Sequence, residues 1–233
     1  MPVLDRSLIA KLPAFAELSG EDLDAILASA RSSRYPKDTE VFGQDEEATS
    51  FFLLLSGHIR VVRTTPDGHQ LIARYINEGE VFGIAIAMGR TTYPASAVPA
   101  VDCVVLSWPN SAWPELQSRV PAFGTSAYQT IGARLQETQA RVVEMSTQQV
   151  EQRIASAVLR LVSQSGRKTA EGIEIDFPIT RQDIAEMTGS TLHTVSRLLS
   201  AWEDEGIVRS GRQKVIVVDP HALMLLAENR RRK

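Results

Sequence analysis

Near the C-terminal end, Thr191, Leu192, His193, Ser196 and Arg197 set hydroxyl, aliphatic, imidazole and guanidinium groups at the spacing of one helical face. These are groups that read base edges in a DNA major groove. The planar guanidinium of Arg197 matches guanine O6 and N7, and the Ser196 hydroxyl suits a base or a phosphate. Leu192 or the methyl of Thr191 offers apolar contact to a thymine methyl. His193 can donate or accept, which leaves its base undefined. Arg181 and Arg212 lie on either side as candidate phosphate contacts, which position a protein without specifying sequence. No other constellation competes. The four histidines are scattered, and no Ser-His-Asp arrangement, phosphate-cradling glycine loop or His/Cys metal spacing appears, so an enzyme is not expected. The single cysteine, Cys103, excludes an internal disulfide, and a four-cysteine iron–sulfur cluster or zinc ribbon within one chain. It lies in the strand-like run VDCVVLSW and reads as a buried structural thiol.

Two helices must hold the reading residues. Thr180 can cap the first, answered by Asp183 three positions on. Ile184, Ala185 and Met187 give that helix an apolar face, and Gly189 allows a sharp turn. Val195, Leu198 and Leu199 bind the second helix to a core. Residues 206–209 and 214–218 flank Ser210-Gly211-Arg212-Gln213 as a β-hairpin, and a hairpin directly after a recognition helix is a wing. An earlier helix is marked by Val150, Ile154, Ala157, Val158 and Leu161. It ends at Ser165-Gly166-Arg167-Lys168, and 172–178 is a short extended piece.

The rest of the chain supplies a different kind of element. Residues 1–35 read as helices, one of them capped by Ser19 with Asp22 at its third position. From Tyr35 the period shortens, and 40–42, 51–55, 58–64, 70–76, 81–86, 95–98 and 101–108 are strand candidates separated by turn signals. Thr65-Pro66-Asp67-Gly68 is the strongest of these turns. Strands of this length and rhythm predict a jelly roll or barrel. From about 122 to 145 one long helix carries Tyr128, Ile131, Leu135, Thr138, Val142 and Met145 in alternating steps of three and four, a seam suited to pairing with its twin. The expected organisation is α+β: a β-roll with N-terminal helices at 1–120, a dimerisation helix at 121–146 and a winged helix-turn-helix at 147–233.

Charge follows the same division. The chain of 233 residues carries −3 overall, but residues 1–146 hold 12 basic against 17 acidic groups, and 147–233 hold 13 against 11. Only the second part has the sign a phosphate-binding surface requires. The C-terminal Asn-Arg-Arg-Arg-Lys could add phosphate attraction or form a tail. No apolar run is long enough for a membrane span, and the N-terminal stretch lacks a signal peptide's apolar core, so a cytoplasmic protein is expected.

In this order the chain resembles the CRP/FNR family of bacterial transcription regulators over essentially its whole length. The matching residues are Leu12-Pro13-Ala14-Phe15, Phe52-Leu53-Leu54-Leu55-Ser56-Gly57, Asp67-Gly68, Gly79-Glu80-Val81-Phe82-Gly83 and the stretch 180–202. The resemblance implies a cyclic-nucleotide-binding-like β-roll (jelly roll), a long dimerisation helix, a C-terminal winged helix-turn-helix, homodimers on double-stranded operator DNA, and RNA polymerase as a partner. Two glycines usual in the family's early turns are Asp38 and Asp45 here. Asp tolerates left-handed backbone, so those turns are expected to survive. Nucleotide-binding members carry a Glu and an Arg-Ser pair where this chain has Ile84-Ala85 and Tyr93-Pro94-Ala95, which argues against cyclic AMP. Thr138 does match the position that touches adenine in those members. The cysteines of the oxygen-sensing branch are missing, and Gly83 and Ala85 replace the Cys and His of the carbon-monoxide-sensing haem branch. What remains is an apolar sensor lining: Phe82, Ile84, Ile86, Met88, Tyr93, Ile131 and Leu135, beside Thr138. This is similar to the nitric-oxide-responsive (Nnr/Dnr-type) branch, which controls denitrification and for which haem is a possible cofactor. The pattern His193-x-x-Ser196-Arg197, against Glu-x-x-Ser-Arg in the oxygen-sensing branch, implies a half-site resembling TTG, read in palindrome as TTG…CAA. Two other readings stay open: a ligand-independent regulator with a plugged roll, and a cyclic-nucleotide-responsive one with unfamiliar anchors.

Overall fold

The computed structural model describes residues 9, 10, 12, 15 and 18–230. Pro13, Ala14 and the terminal residues 231–233 of the basic tail lie outside the described residues, as does most of the stretch before Leu18. The chain divides into two compact units. The first holds residues 1–64 and 74–137, and the second holds 65–73 and 138–233.

In the first unit, α1 (Gly20–Ala28) starts where expected, with the Ser19 hydroxyl accepting from the Asp22 amide at 3.1 Å. The helical reading does not extend to residue 35. Instead Arg31–Tyr35 forms strand β1, paired antiparallel with residues 103–107. Arg-Ser-Ser-Arg-Tyr has no apolar alternation, because β1 is an edge strand whose side chains mostly face solvent. The remaining strands are β2 (Ser50–Ser56), β3 (Ile59–Thr64), β4 (Gln70–Ile76), β5 (Val81–Phe82), β6 (Ser96–Pro99) and β7 (Cys103–Pro109). They form two sheets, ordered β1-β7-β2-β5 and β4-β3-β6, the roll expected from the strand rhythm. Residues 40–42 contribute only an isolated bridge from Phe42 to Ala97.

The segment 81–86 also departs from a continuous strand. After Phe82 the backbone turns at Gly83 (φ 65°), and Ile86–Met88 is a single 3₁₀ turn closed by Gly89 in the left-handed region. A Cβ on Gly83 would come within 2.7 Å of the Phe52 ring, so the turn needs glycine for space as well as for φ. Asp38 (φ 61°) and Asp45 (φ 65°) hold left-handed turns, as the substitution of Asp for Gly allows.

Two apolar clusters fill the roll. One gathers Phe51, Trp108, Trp113 and Phe123, with Phe51 and Trp108 stacked at 5.4 Å. It is pinned to α1 by the Trp108 indole, which donates to the Ile26 carbonyl at 2.7 Å. Helix α2 (Trp113–Arg119) leads into α3 (Pro121–Thr147), a single helix of 27 residues.

The second unit contains the last part of α3, α4 (Val150–Ser165), α5 (Arg181–Thr188), α6 (Leu192–Asp204) and α7 (Pro220–Ala227). Its sheet has the order β10-β11-β9-β8, with β8 (Gly166–Thr169), β9 (Gly172–Ile175), β10 (Val208–Gly211) and β11 (Lys214–Val217). Residues 166–168, expected only to end a helix, form β8. Gly-Arg-Lys-Thr carries no strand pattern of its own and is held by its pairing with β9.

Candidate nucleic-acid interface

The sequence around residue 180 contains its own helix start. The Thr180 hydroxyl accepts from the Asp183 amide at 3.0 Å, and the Asp183 carboxylate accepts from the Thr180 amide at 2.7 Å. This reciprocal box opens α5, and Asp183 is only 6% exposed. The helix stops at Gly189, whose φ of 58° and ψ of 40° turn the chain toward α6. A side chain there would meet both an unfavourable backbone and the Met145 methyl at 2.7 Å. Thr191 then caps α6, its hydroxyl accepting from the Thr194 amide at 3.1 Å.

The two faces of α6 separate as the pattern requires. Val195, Leu199 and Trp202 are buried, as are Ile184 and Ala185 of α5. Burial of such side chains contributes about 1.5–3 kcal/mol each. On the other face Thr191, Leu192, His193 and Arg197 are exposed, and Ser196 is half-buried. Leu192 is 48% exposed, unusual for leucine at a helix start and suited to an apolar contact with a ligand.

The wing lies beside them in sequence and in sheet pairing. Gly211 pairs with Lys214, leaving Arg212-Gln213 as a two-residue turn with Gln213 at φ 60°. Arg212 is exposed at that tip. Arg181 has a different setting. It is half-buried and donates to the Ser210 hydroxyl at 2.8 Å, with the Glu203 carboxylate at 3.9 Å. Its guanidinium therefore ties α5 to the wing, a role the sequence did not reveal because Ser210 is 29 positions away. Lys214 and Arg209, also on the wing, are paired with Glu174 and Glu171 at 3.1 and 2.9 Å.

The residues expected to line a sensor pocket fall in several settings. Phe82 and Tyr93 belong to one cluster with Phe42 and Phe52, where Phe42 stacks on Tyr93 at 3.8 Å and Phe52 on Phe82 at 5.2 Å. Ile84 belongs to the neighbouring core cluster, against which Ile131 packs. Ile86 and Met88 are 36% and 48% exposed, because the 3₁₀ turn after Gly83 carries them out of the strand alternation. Leu135 is 59% exposed and Thr138 is exposed.

The polar groups of the roll are engaged with one another. The Tyr93 hydroxyl donates to the Ser50 carbonyl at 2.7 Å, and burial pushes its pKa up. Glu80 accepts from Arg74 at 2.7 Å. Arg134 of α3 donates to the Val81 carbonyl at 2.7 Å, and desolvation lowers its pKa to about 10. His58 Nδ1 is 3.1 Å from the Asn77 side chain, and His69 sits exposed at the β3–β4 hairpin beside Asp67. Burial raises the Cys103 thiol to about 11, well away from thiolate character. Among the described residues no group of three or more His, Cys, Asp or Glu could hold a metal ion.

Of the seam residues of α3, Ile131 packs on the core, whereas Tyr128, Leu135, Val142 and Met145 are 50%, 59%, 61% and 49% exposed.

Comparison with known proteins agrees with this geometry. Residues 32–119 match the cyclic nucleotide-binding domain family, and residues 152–226 match the Crp-like helix-turn-helix domain family. The chain is a CRP/FNR-type DNA-binding transcription regulator, and the relatives it matches are regulators and not enzymes. Among them, the cyclic AMP receptor protein of Thermus thermophilus is 28% identical over 85% of this chain and 89% of its own. The nitrogen fixation regulation protein FixK of Azorhizobium caulinodans is 25% identical over 91% of this chain and 85% of its own. In fold, the chain is similar to the solved structure of FixK2 from Bradyrhizobium japonicum, with a TM-score of 0.75 at 23% identity, covering 84% of this chain and 96% of that one. No helix among the described residues is long and apolar enough to cross a membrane.

Proposed function

We propose that the protein acts as a homodimer that reads a TTG…CAA-like palindrome, and that it answers nitric oxide or a related nitrogen-oxide or redox signal rather than cyclic AMP. The observation that carries the DNA reading is the exposed start of α6, where Leu192, His193 and Arg197 stand clear above the Gly189 turn. Pairing rests on the uncovered apolar stripe of α3, which a second copy of the same seam would cover. Two copies would set their recognition helices about 34 Å apart, one turn of DNA. RNA polymerase is the protein partner implied by the family resemblance.

The reading against cyclic AMP is supported by the absence of the Arg-Ser pair, whose place is held by Tyr93-Pro94-Ala95. A buried phosphate needs a charged donor, yet Tyr93 spends its hydroxyl on Ser50, and Arg90 is exposed. The first relative named above is a cyclic AMP receptor, so calorimetry with cyclic AMP and cyclic GMP is the direct check; saturable uptake of either would refute this part. Haem rests on the family resemblance alone: His58 has its Nδ1 3.1 Å from the Asn77 side chain, His69 is exposed at a hairpin, and Cys103 is a buried thiol hydrogen-bonded to carbonyls. Protein purified with added haem that shows no Soret shift under nitric oxide would overturn that part. The aromatic packing of Phe42, Phe52, Phe82 and Tyr93 favours a second reading, a ligand-independent regulator with a filled roll. Full operator binding by purified protein in air, unchanged by nitric oxide, would select it.

The operator assignment is tested by substitution. Arg197→Ala should cost ~1–3 kcal/mol of DNA affinity and relax one base position. Arg212→Ala should weaken all sequences alike and lower the salt slope by about one. Uniform loss in both variants would show that Arg197 reads no base.

A further inference from the structure

The recognition helix carries a carboxylate that the base-reading face does not use. Glu203 lies in the last turn of α6, half-buried, and its Oε1 accepts from the backbone amide of Ser210 in β10. Strand β10 is at the edge of its sheet, so one of its sides has no neighbouring strand. In an antiparallel pair, alternate residues turn their amides away from the partner strand. Gly211 and Lys214 flank the two-residue turn as a hydrogen-bonded pair, which leaves the Ser210 amide facing outward. Glu203 supplies the acceptor that a further strand would otherwise provide. The Ser210 hydroxyl is engaged as well: it accepts from Arg181 Nη2 at 2.8 Å, and that guanidinium lies 3.9 Å from the other Glu203 oxygen. Ser210 is therefore held by its amide from α6 and by its hydroxyl from α5. On the other limb of the turn, the Gln213 carbonyl accepts from the Ile179 amide at 3.1 Å.

We propose that Glu203 is a positioning residue for DNA binding: by gripping Ser210 it fixes the wing against the recognition helix, so that Arg212 meets a phosphate while Arg197 faces the bases. Arg212 is two residues beyond Ser210 at the exposed tip. A two-stranded hairpin is marginally stable by itself, so its tip needs an external anchor to hold one position. Glu203 is the anchor that comes from the base-reading helix itself, and it therefore sets the spacing between the group that reads bases and the group that meets the backbone. If the grip is released, DNA must order the wing on binding, and the entropy of that ordering is taken from the affinity. The loss is independent of sequence, because a phosphate contact carries no base information. Glu203 acts without touching DNA.

The proposal rests on reading Arg212 as a phosphate contact, and its test separates the two. The affinity of the full chain is measured against salt on a TTG…CAA-like duplex and on a duplex of unrelated sequence. Glu203→Ala should lower the slope of log K against log salt by about one on both, with the base preference at the Arg197 position unchanged. Glu203→Gln, whose amide oxygen still accepts from Ser210, should keep the parent slope. Where Arg212→Ala lowers the slope, Glu203→Ala added to it should lower the slope no further. The parent slope in Glu203→Ala, whatever its Tm, shows a role in stability alone and overturns the proposal. An equal loss in Glu203→Gln, or additive losses with Arg212→Ala, also overturns it. Should Arg212→Ala leave the slope unchanged, Arg212 meets no phosphate, and Glu203→Ala alone decides the grip: a slope lowered by about one supports it, and an unchanged slope overturns it. Should Glu203→Ala fail to fold, Ser210→Pro, which removes the amide at an edge position that tolerates proline, replaces it.

Discussion

Leu135 offers the sharpest test of pairing along α3. It is 59% exposed in the single chain, on the same stripe as Val142 at 61%. Truncation to Ala removes three carbons, worth about 0.8 kcal/mol each when fully buried. Scaled by the exposed fraction, that is about 1.4 kcal/mol per copy, and about 3 kcal/mol for two copies meeting at a two-fold axis. The dimer constant should therefore weaken on the order of 100-fold. Leu135→Asp should go further, since pairing would bury two like charges. Sedimentation equilibrium over a range of concentrations reads the constant, and circular dichroism checks that the monomer is intact. A truncated chain that dimerises within about threefold of the parent would refute the seam, because no tight symmetric contact leaves a deletion of this size unfelt.

Three further outcomes follow from local geometry. Gly189→Ala should destabilise by about 1–2 kcal/mol in denaturant unfolding, because the left-handed backbone penalises a Cβ, and Met145→Ala in the same background should recover only the part due to the 2.7 Å contact with the Met145 methyl. Trp108→Phe should cost ~1–3 kcal/mol by leaving the buried Ile26 carbonyl without its donor, read as a fall in Tm. Cys103, with its thiol raised from an ordinary 9.0 to about 11 by burial, should react with iodoacetamide at pH 8 far more slowly in the folded chain than in urea. The raised value also has a sign for stability: the neutral thiol's contribution is complete below about pH 9 and is lost as pH rises toward 11, so unfolding should become easier across that window.

Much of the reading head was legible because its determinants are local. The Thr180–Asp183 box and the left-handed Gly189 each act over no more than four residues, and each appears where its residue type requires; the Thr191 cap is as local, but in the sequence Thr191 reads only as part of the DNA-facing surface. The Thr65-Pro66-Asp67-Gly68 turn is of the same kind, with Gly68 at φ 87°. The exposed stripe of α3 follows from helical period alone. Other features depend on partners remote in sequence. Strand β1 exists because residues 103–107 pair with it, and β8 because β9 does. Arg181 is turned to Ser210, and Ile86 and Met88 are carried to the surface by the 3₁₀ turn after Gly83.

The sequence by itself determined the order of elements, the capped helix-turn-helix with its wing, and the side chains available to DNA, because short-range hydrogen bonds and periodicity decide these. Only the tertiary structure decided how the roll is filled and which arginines are already engaged, Arg181 with Ser210 and Arg160 with Glu144. Those outcomes depend on packing and on charges brought together from distant segments.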